Sequence, residues 1–373
     1  MTTARTDPEA LKPLLRDLGQ GPTRGRSLTR EEARYCLDLI LDGRATPAQA
    51  GAFLLLQRYK GETPDELLGF VDAVRARPST HLLRPKVDGL LDVGSPYDGR
   101  LRHIFISPAA SIVAAACGVP VLMHGERDMP PKHGATVGDV LDALGIATDL
   151  PPDAVERGIG EIGIGYLRQR RFAPELVDVK WLREEITLRS PLNMVEKMYD
   201  PANAPYHLIG LTHLPYLEKL ASALTTMGFH KTALVQGLEG NEDLPTNRAA
   251  RVIEFVQGEE ERNEYRVNAA DYGLTPAVAE DVAIGEGPAG RPSAERSAQL
   301  TLQALQGDAP AAWRDLVAFN AGFRVYLAGR APDLAGGIAA AQEALSSRSA
   351  WHVLERWRAM AQQAGREADH ARV

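Results

Sequence analysis

Cysteine is almost absent from the chain: Cys36 and Cys117 are the only two in 373 residues. Both fall inside apolar helical patterns, which excludes a disulfide framework and fits small buried hydrophobes in a reducing compartment. Long apolar runs are missing too. The longest, 104–123, is broken by Pro108, Gly118 and Pro120, and reads as a helix and a strand rather than a membrane span. The opening MTTARTDPEALKPLL has no apolar core, so no secretory signal is expected and the chain is expected to be cytoplasmic. A positive balance is also lacking. The 42 basic and 49 acidic residues leave a net charge of −7, which gives no global attraction to nucleic acid or anionic lipid. A local basic face remains compatible with that total.

What is present is an ordinary globular composition, 44% hydrophobic and 24% charged, on a chain long enough for one large domain and a smaller one. Residues 9–77 carry helical patterns with clear punctuation. Thr29 with Glu32 forms a capping box, Thr46-Pro47 and Thr63-Pro64 mark two further helix starts, and Gly43 and Gly61 end the preceding helices. From 87 onward, β-rich runs at 89–93, 119–123, 207–210 and 233–236 alternate with helical segments, the pattern of a mostly parallel sheet with helical crossovers. The charged, β-prone stretch 251–267 reads as edge strands, and 295–367 returns to alanine-rich helix. The expected fold class is therefore α/β: a small N-terminal helical bundle plus a large domain whose mostly parallel central sheet is flanked by helices. The expected boundaries are 1–85 for the bundle, with a helical contribution from about 180–205, and 86–373 for the α/β domain with its C-terminal helices.

The most informative stretch is 92–145, which reads as strand, glycine-containing loop, helix, strand, second loop and helix. Loop amides and helix N-termini in such an arrangement offer donors and a positive dipole end to an anion. This stretch is similar to the core of the anthranilate phosphoribosyltransferases, in the nucleoside-phosphorylase class of glycosyl transferases. The opening SLTREEARYCLDLILDGRATPAQAGAFLLLQRYKGETPDEL and the closing SAERSAQLTLQALQGDAPAAWRDLVAFNAGFRVYLAGRAPDLAGGIAAAQEAL resemble the same family. The resemblance implies a homodimer, phosphoribosyl pyrophosphate or another phosphorylated small molecule as ligand, and Mg²⁺ as cofactor.

The ligand loops depart from the family in specific ways. Gly94, Ser95, Pro96, Tyr97 and Asp98 stand where the family has Gly-Thr-Gly-Gly-Asp. Proline removes an amide donor and fixes φ, and tyrosine bars close backbone approach. Phe105, Ile106, Ser107 and Pro108 replace Asn-Ile-Ser-Thr and keep one hydroxyl, that of Ser107. Met123, His124, Gly125 and Glu126 replace Lys-His-Gly-Asn, which trades a cation for an acid. Arg127, Lys132 and Gly134 match the loop that follows. The family's metal-binding Asp-Glu pair becomes Glu242 and Asp243 in reversed order, candidates for Mg²⁺ through carboxylate and water. A solvated acidic loop is the plain alternative. Arg189, followed by Asn193, matches the arginine that meets the anthranilate carboxylate. Ala173 replaces a pocket histidine, and Arg168, Arg170 and Arg171 stand where the family is mainly apolar, which implies an acceptor other than anthranilate.

A second branch of this family also lacks the glycine-rich loop, and this chain shares its elements in Tyr97, Asp98, Gly99, Arg100 and Arg102, then Gly237, Glu239, Gly240, Asn247 and Arg248. Nucleic-acid binding has been attributed to some proteins of that branch. Two readings follow. In the first, a glycosyl or phosphoribosyl transferase binds a phosphorylated ligand in a cationic cleft made by Gly94, Ser95, Asp98, Arg100, Arg102, Ser107, Arg127, Lys132, Arg168, Arg170, Arg171 and Arg189. Arginine suits that task because it is always charged and binds oxyanions bidentately. In the second, catalysis is lost and the same cleft holds single-stranded nucleic acid. His124 and Arg189 are the catalytic candidates, His124 as a base or as a hydrogen-bond partner of the acceptor, with a structural histidine as the alternative.

Overall fold

The computed structural model describes residues 7, 9–21, 24–211, 214–259, 261–285 and 293–370. The helices Arg30–Leu41, Pro47–Lys60 and Pro64–Arg75 begin where the sequence places them. Each has a threonine N-cap whose hydroxyl accepts an amide three residues on, with Glu32, Gln49 or Glu66 returning the bond. They bury Cys36, Leu37, Phe53, Leu54, Leu67 and Phe70 against one another. Two later helices join them: Lys180–Ile186 packs on Pro47–Lys60, and Pro191–Met198 packs on Pro64–Arg75.

The large domain carries seven strands: β1 (Leu91–Gly94), β2 (Val121–Gly125), β3 (Ile164–Arg168), β4 (Tyr206–Gly210), β5 (Lys231–Val235), β6 (Ala250–Val256) and β7 (Asn263–Val267). They form one sheet in the order β3-β2-β1-β4-β5-β6-β7. The first five strands are parallel, and β6 and β7 close one edge antiparallel. Four of the five parallel strands lie within two residues of the runs read from sequence. β3 was hidden there: five residues after Gly163, which takes a left-handed conformation at the end of Pro152–Ile162, are too few to display a period. Of the long C-terminal helices, Ala311–Leu327 packs on β5 and on Ser107–Ala116, and Ser349–His370 packs on Ser107–Ala116 and Pro152–Ile162. Among the described residues no helix is long and apolar enough to cross a membrane.

Strand order reverses between β1 and β4, because the chain builds outward through β2 and β3 and then returns to the other side of β1. In open α/β sheets the crevice beyond the strand ends at such a point is where ligands bind. Here the crevice is walled on its far side by the helical bundle.

Candidate functional site at the sheet switch point

The loops that leave the carboxyl ends of β1 and β5 meet at the end of β4 in this crevice. They touch closely: a Cβ on Gly210 would lie 1.7 Å from the Asn241 main chain, so only glycine allows the end of β4 to meet the 237–243 loop. That loop is buried, with Asn241, Glu242 and Asp243 fully shielded from solvent. Its acids therefore point into the protein.

Asp243 occupies the N-terminus of the helix Ser107–Ala116. Its Oδ2 accepts the amides of Ile106 at 3.0 Å and Ser107 at 3.2 Å, and the Arg100 guanidinium at 2.6 Å. Arg324, reaching in from Ala311–Leu327, donates to Ser107 Oγ at 2.9 Å and sits 3.6 Å from Asp243 Oδ1. Glu242 accepts the Ser95 hydroxyl. Burial alone would raise the Glu242 pKa, but the Arg100 and Arg324 charges and the Ser95 bond hold it below the usual value. Asp243 is raised by the same burial. The donors at this helix end, a ready anion site, are thus committed to the chain's own carboxylate.

Glu239 does the same for a second group of donors. Its carboxylate takes the consecutive main-chain amides of Leu101, Arg102 and His103 at 3.1, 3.2 and 3.3 Å, and Lys132 Nζ donates to it at 3.2 Å. Burial opposes its charge, but His103, these amides and Lys132 hold it well below the ordinary carboxylate range. Glu239 adopts φ +52°, an uncommon conformation for a non-glycine residue that the amide bonds sustain. Glu239→Gln is expected to cost about 1–3 kcal/mol and to speed hydrogen exchange at amides 101–103, read by mass spectrometry. Unchanged exchange there would contradict this role.

Most of the remaining predicted cations are paired as well. Asp98, buried, grips Arg189 bidentately at 2.7 and 2.8 Å. Glu126 takes the Arg168 side chain and both the main chain and side chain of Arg170. Arg171 pairs with Asp149, and Arg127 with Asp142 and Asp139. Arg102 is exposed, and Gly94 ends β1 against the Lys197 carbonyl. The expected open cationic cleft is therefore largely an internal ion-pair network, because acids that look solvated in sequence fold back onto the arginines. Of the arginines behind the nucleic-acid expectation, Arg100, Arg127, Arg168, Arg170, Arg171 and Arg189 are engaged in this network, while Arg102 and Arg248 lie exposed outside it.

His124 is buried in the sheet rather than exposed to the crevice. Its Nε2 lies 3.2 Å from Asp92 Oδ1, its Nδ1 meets the Tyr97 hydroxyl, and His207 Nδ1 lies 2.8 Å from Asp92 Oδ2. Burial would raise Asp92, but the two histidines bring it down to about 2.

The open space is a cavity of about 320 Å³ between the bundle and the strand ends. Arg189, Asn193 and Lys197, at four-residue spacing, present one side to it, and Arg58 and Glu62 approach from the bundle. Lys197 is buried and donates to the carbonyls of Gly210 and Gly240. Burial, aided by Arg189, lowers its pKa to about 7. Glu62 accepts the Tyr216 hydroxyl, and burial raises its pKa to about 7. The sequence reading reached Arg189 and Asn193 but not Lys197, Glu62 or Arg58. A lysine one helical turn beyond Asn193 was the signal for the first; nothing in sequence marks the other two.

The pair expected to hold Mg²⁺ can be tested against this geometry. Mg²⁺ takes oxygen ligands in near-octahedral array and keeps several waters. Glu242 and Asp243 are instead fully buried beside two guanidinium groups and two main-chain amide donors. Among the described residues no group of three His, Cys, Asp or Glu is placed to hold a metal. This donor set does not fit Mg²⁺.

Comparison with known proteins places the chain consistently. Residues 12–77 match the glycosyl transferase family helical bundle domain, and residues 98–351 match the a/b domain of the same family. The anthranilate phosphoribosyltransferase of Rhodospirillum rubrum is 34% identical over 356 residues, 95% of this chain and 97% of the relative. That of Rhodopseudomonas palustris strain BisA53 is 32% identical over 87% of this chain and 92% of the relative. The crystal structure of anthranilate phosphoribosyltransferase from Thermus thermophilus superposes with a TM-score of 0.79 at 31% identity, covering 95% of this chain and 99% of that one. The enzyme from Saccharomyces cerevisiae, in complex with PRPP and Mg, superposes with a TM-score of 0.80 at 16% identity over 96% and 99% of the two chains, a likeness of fold.

Proposed function

The chain belongs to the glycosyl transferase family as an anthranilate phosphoribosyltransferase-like protein, and from that premise we propose that it binds a phosphorylated ligand of the phosphoribosyl pyrophosphate class in the switch-point cavity. One observation carries the reading: Arg58 from the bundle and Arg189 and Lys197 from the 189–198 segment line the same cavity. Two of the five donors of Arg189 are committed to Asp98, which leaves its other edge for an oxyanion. Ser190 and Asn193 add polar groups, and Tyr97, Met194 and Tyr216 supply the apolar wall of a small-molecule site. In glycosyl transfer such cations do their work electrostatically, by stabilising charge that grows on the leaving phosphate in a water-poor setting. The acceptor would enter from the bundle side. A carboxylate acceptor would have to share Arg189 with Asp98.

The test is thermal unfolding of the protein over a titration of phosphoribosyl pyrophosphate. The melting temperature should rise with ligand concentration, as it must for a ligand that binds only the folded state. No rise at saturating ligand would overturn the proposal.

The same proposal includes a homodimer. Leu55 and Tyr59, one turn apart on Pro47–Lys60, are 38% and 78% exposed, and Trp181, on a helix packed against theirs, is 45% exposed. Large apolar side chains grouped in this way mark association surfaces. Sedimentation velocity should find a dimer that Tyr59→Glu splits; a monomer at every concentration would refute it.

A further inference from the structure

We propose that Arg100 and Arg324 take the place of a divalent ion beside Glu242 and Asp243, so that ligand binding in this crevice is independent of Mg²⁺. The charge balance carries the inference. Arg100 and Arg324 both contact Asp243 and act through their charge on Glu242, and all four side chains are at most 1% exposed. Arg100 contacts Asp243 at 2.6 Å while its guanidinium lies 3.9 Å from the centre of the Phe105 ring, and it also donates to the Ile104 carbonyl. Arg324 is fixed by Ser107 Oγ and by the Asn320 carbonyl at 2.9 Å each. Asn320 in turn accepts the Leu244 amide at 2.7 Å, which locks the end of the acidic loop to the same helix.

A divalent ion added here would leave a dry site with net charge +2, a state that burial strongly disfavours. To reach Asp243 Oδ1, which no hydrogen bond holds, it would have to lie beside the Arg324 guanidinium, 3.6 Å from that oxygen. Glu242 Oε2 and Asp243 Oδ1 have no hydrogen-bond donor, but the buried Arg100 and Arg324 charges already balance both carboxylates. The acid pair has become a fixed link between the loop after β5, the loop after β1 and the helix Ala311–Leu327. Phosphate charge then falls to Arg58, Arg189 and Lys197 in the cavity, and to that extent the inference rests on the function proposed above.

The experiment uses the full chain freed of metal by a chelator. Mn²⁺ is titrated in and the free aqueous ion followed by electron paramagnetic resonance. The free-ion signal should stay undiminished by the wild-type protein. A signal that the protein removes, and that Glu242→Gln restores, overturns the inference. As a second arm, Arg324→Met is melted with and without Mg²⁺. Removing one cation should create a need the ion can fill, so Mg²⁺ should raise the variant's melting temperature and leave the wild type unchanged. An equal response in both proteins would count against the replacement. In the third arm, phosphoribosyl pyrophosphate is titrated in chelator and in Mg²⁺. Affinities within about twofold support metal independence, and a gain of about tenfold or more with Mg²⁺ contradicts it. Absence of ligand binding in both buffers would defeat the proposed function, while the Mn²⁺ titration would still decide this point.

Discussion

Arg324→Met is expected to destabilise the fold by about 3–5 kcal/mol, the range for breaking a buried ion pair from one side. The variant removes one of the two cations beside Asp243 and Glu242 and strands the Ser107 hydroxyl. Arg100 cannot compensate, because it is held by Asp243 Oδ2 and the Ile104 carbonyl. The midpoint of urea unfolding reads the loss directly, with the slope unchanged if the unfolded state is unaffected. Adding Asp243→Asn to Arg324→Met should recover part of the loss, since residues sharing a network are not additive. A change within the range of ordinary surface substitutions, about 0.5 kcal/mol, would show that the network does not hold the loop.

Lys197→Met is expected to weaken phosphoribosyl pyrophosphate binding by about 10- to 100-fold, the loss of one charge-assisted contact in a shielded site. The pH dependence has a definite sign. Burial sets Lys197 at about 7 and Glu62 at about 7, from opposite directions. Below that pH the lysine is charged and the glutamate neutral; above it the lysine is neutral and the glutamate negative. Both changes make the cavity less positive as pH rises, so affinity for an anion should fall through neutral pH. Arg189 and Lys132 push Lys197 further down, whereas Glu242 and Asp98 push it up. Glu62 is pushed up by Glu66 and down by Lys60 and Lys219. Calorimetric titration on both sides of neutrality should record the fall, and Glu62→Gln should remove part of it. An affinity that is flat or rises with pH would refute these assignments.

The fold was legible because it is written in local signals. Three threonine caps fixed the bundle, and short β-rich runs with intervening helices fixed the parallel sheet. β3 escaped because a five-residue strand after a glycine carries too little pattern. The site was less legible, for a physical reason. Sequence displays charges but not their partners. Arg100 and Asp243 are 143 residues apart, and so far as pattern goes Arg189 and Asp98 are unrelated, yet the fold pairs both. Arg324 and Asn320, one turn apart, interrupt an otherwise largely apolar helix, a sign that a buried charge needs a partner, although the partner's identity is set only by the fold. Glu62 carries no signal at all, because its significance comes from burial at the junction of bundle and sheet.

The most direct test of the cavity as the ligand site is a calorimetric titration of phosphoribosyl pyrophosphate into three proteins: wild type, Lys197→Met and Ser107→Ala. Wild type should saturate, Lys197→Met should bind much more weakly, and Ser107→Ala should bind as wild type does, because the Ser107 hydroxyl is buried and engaged by Arg324. Loss of binding in Ser107→Ala with full binding in Lys197→Met would place the ligand at the N-terminus of Ser107–Ala116 and contradict the account.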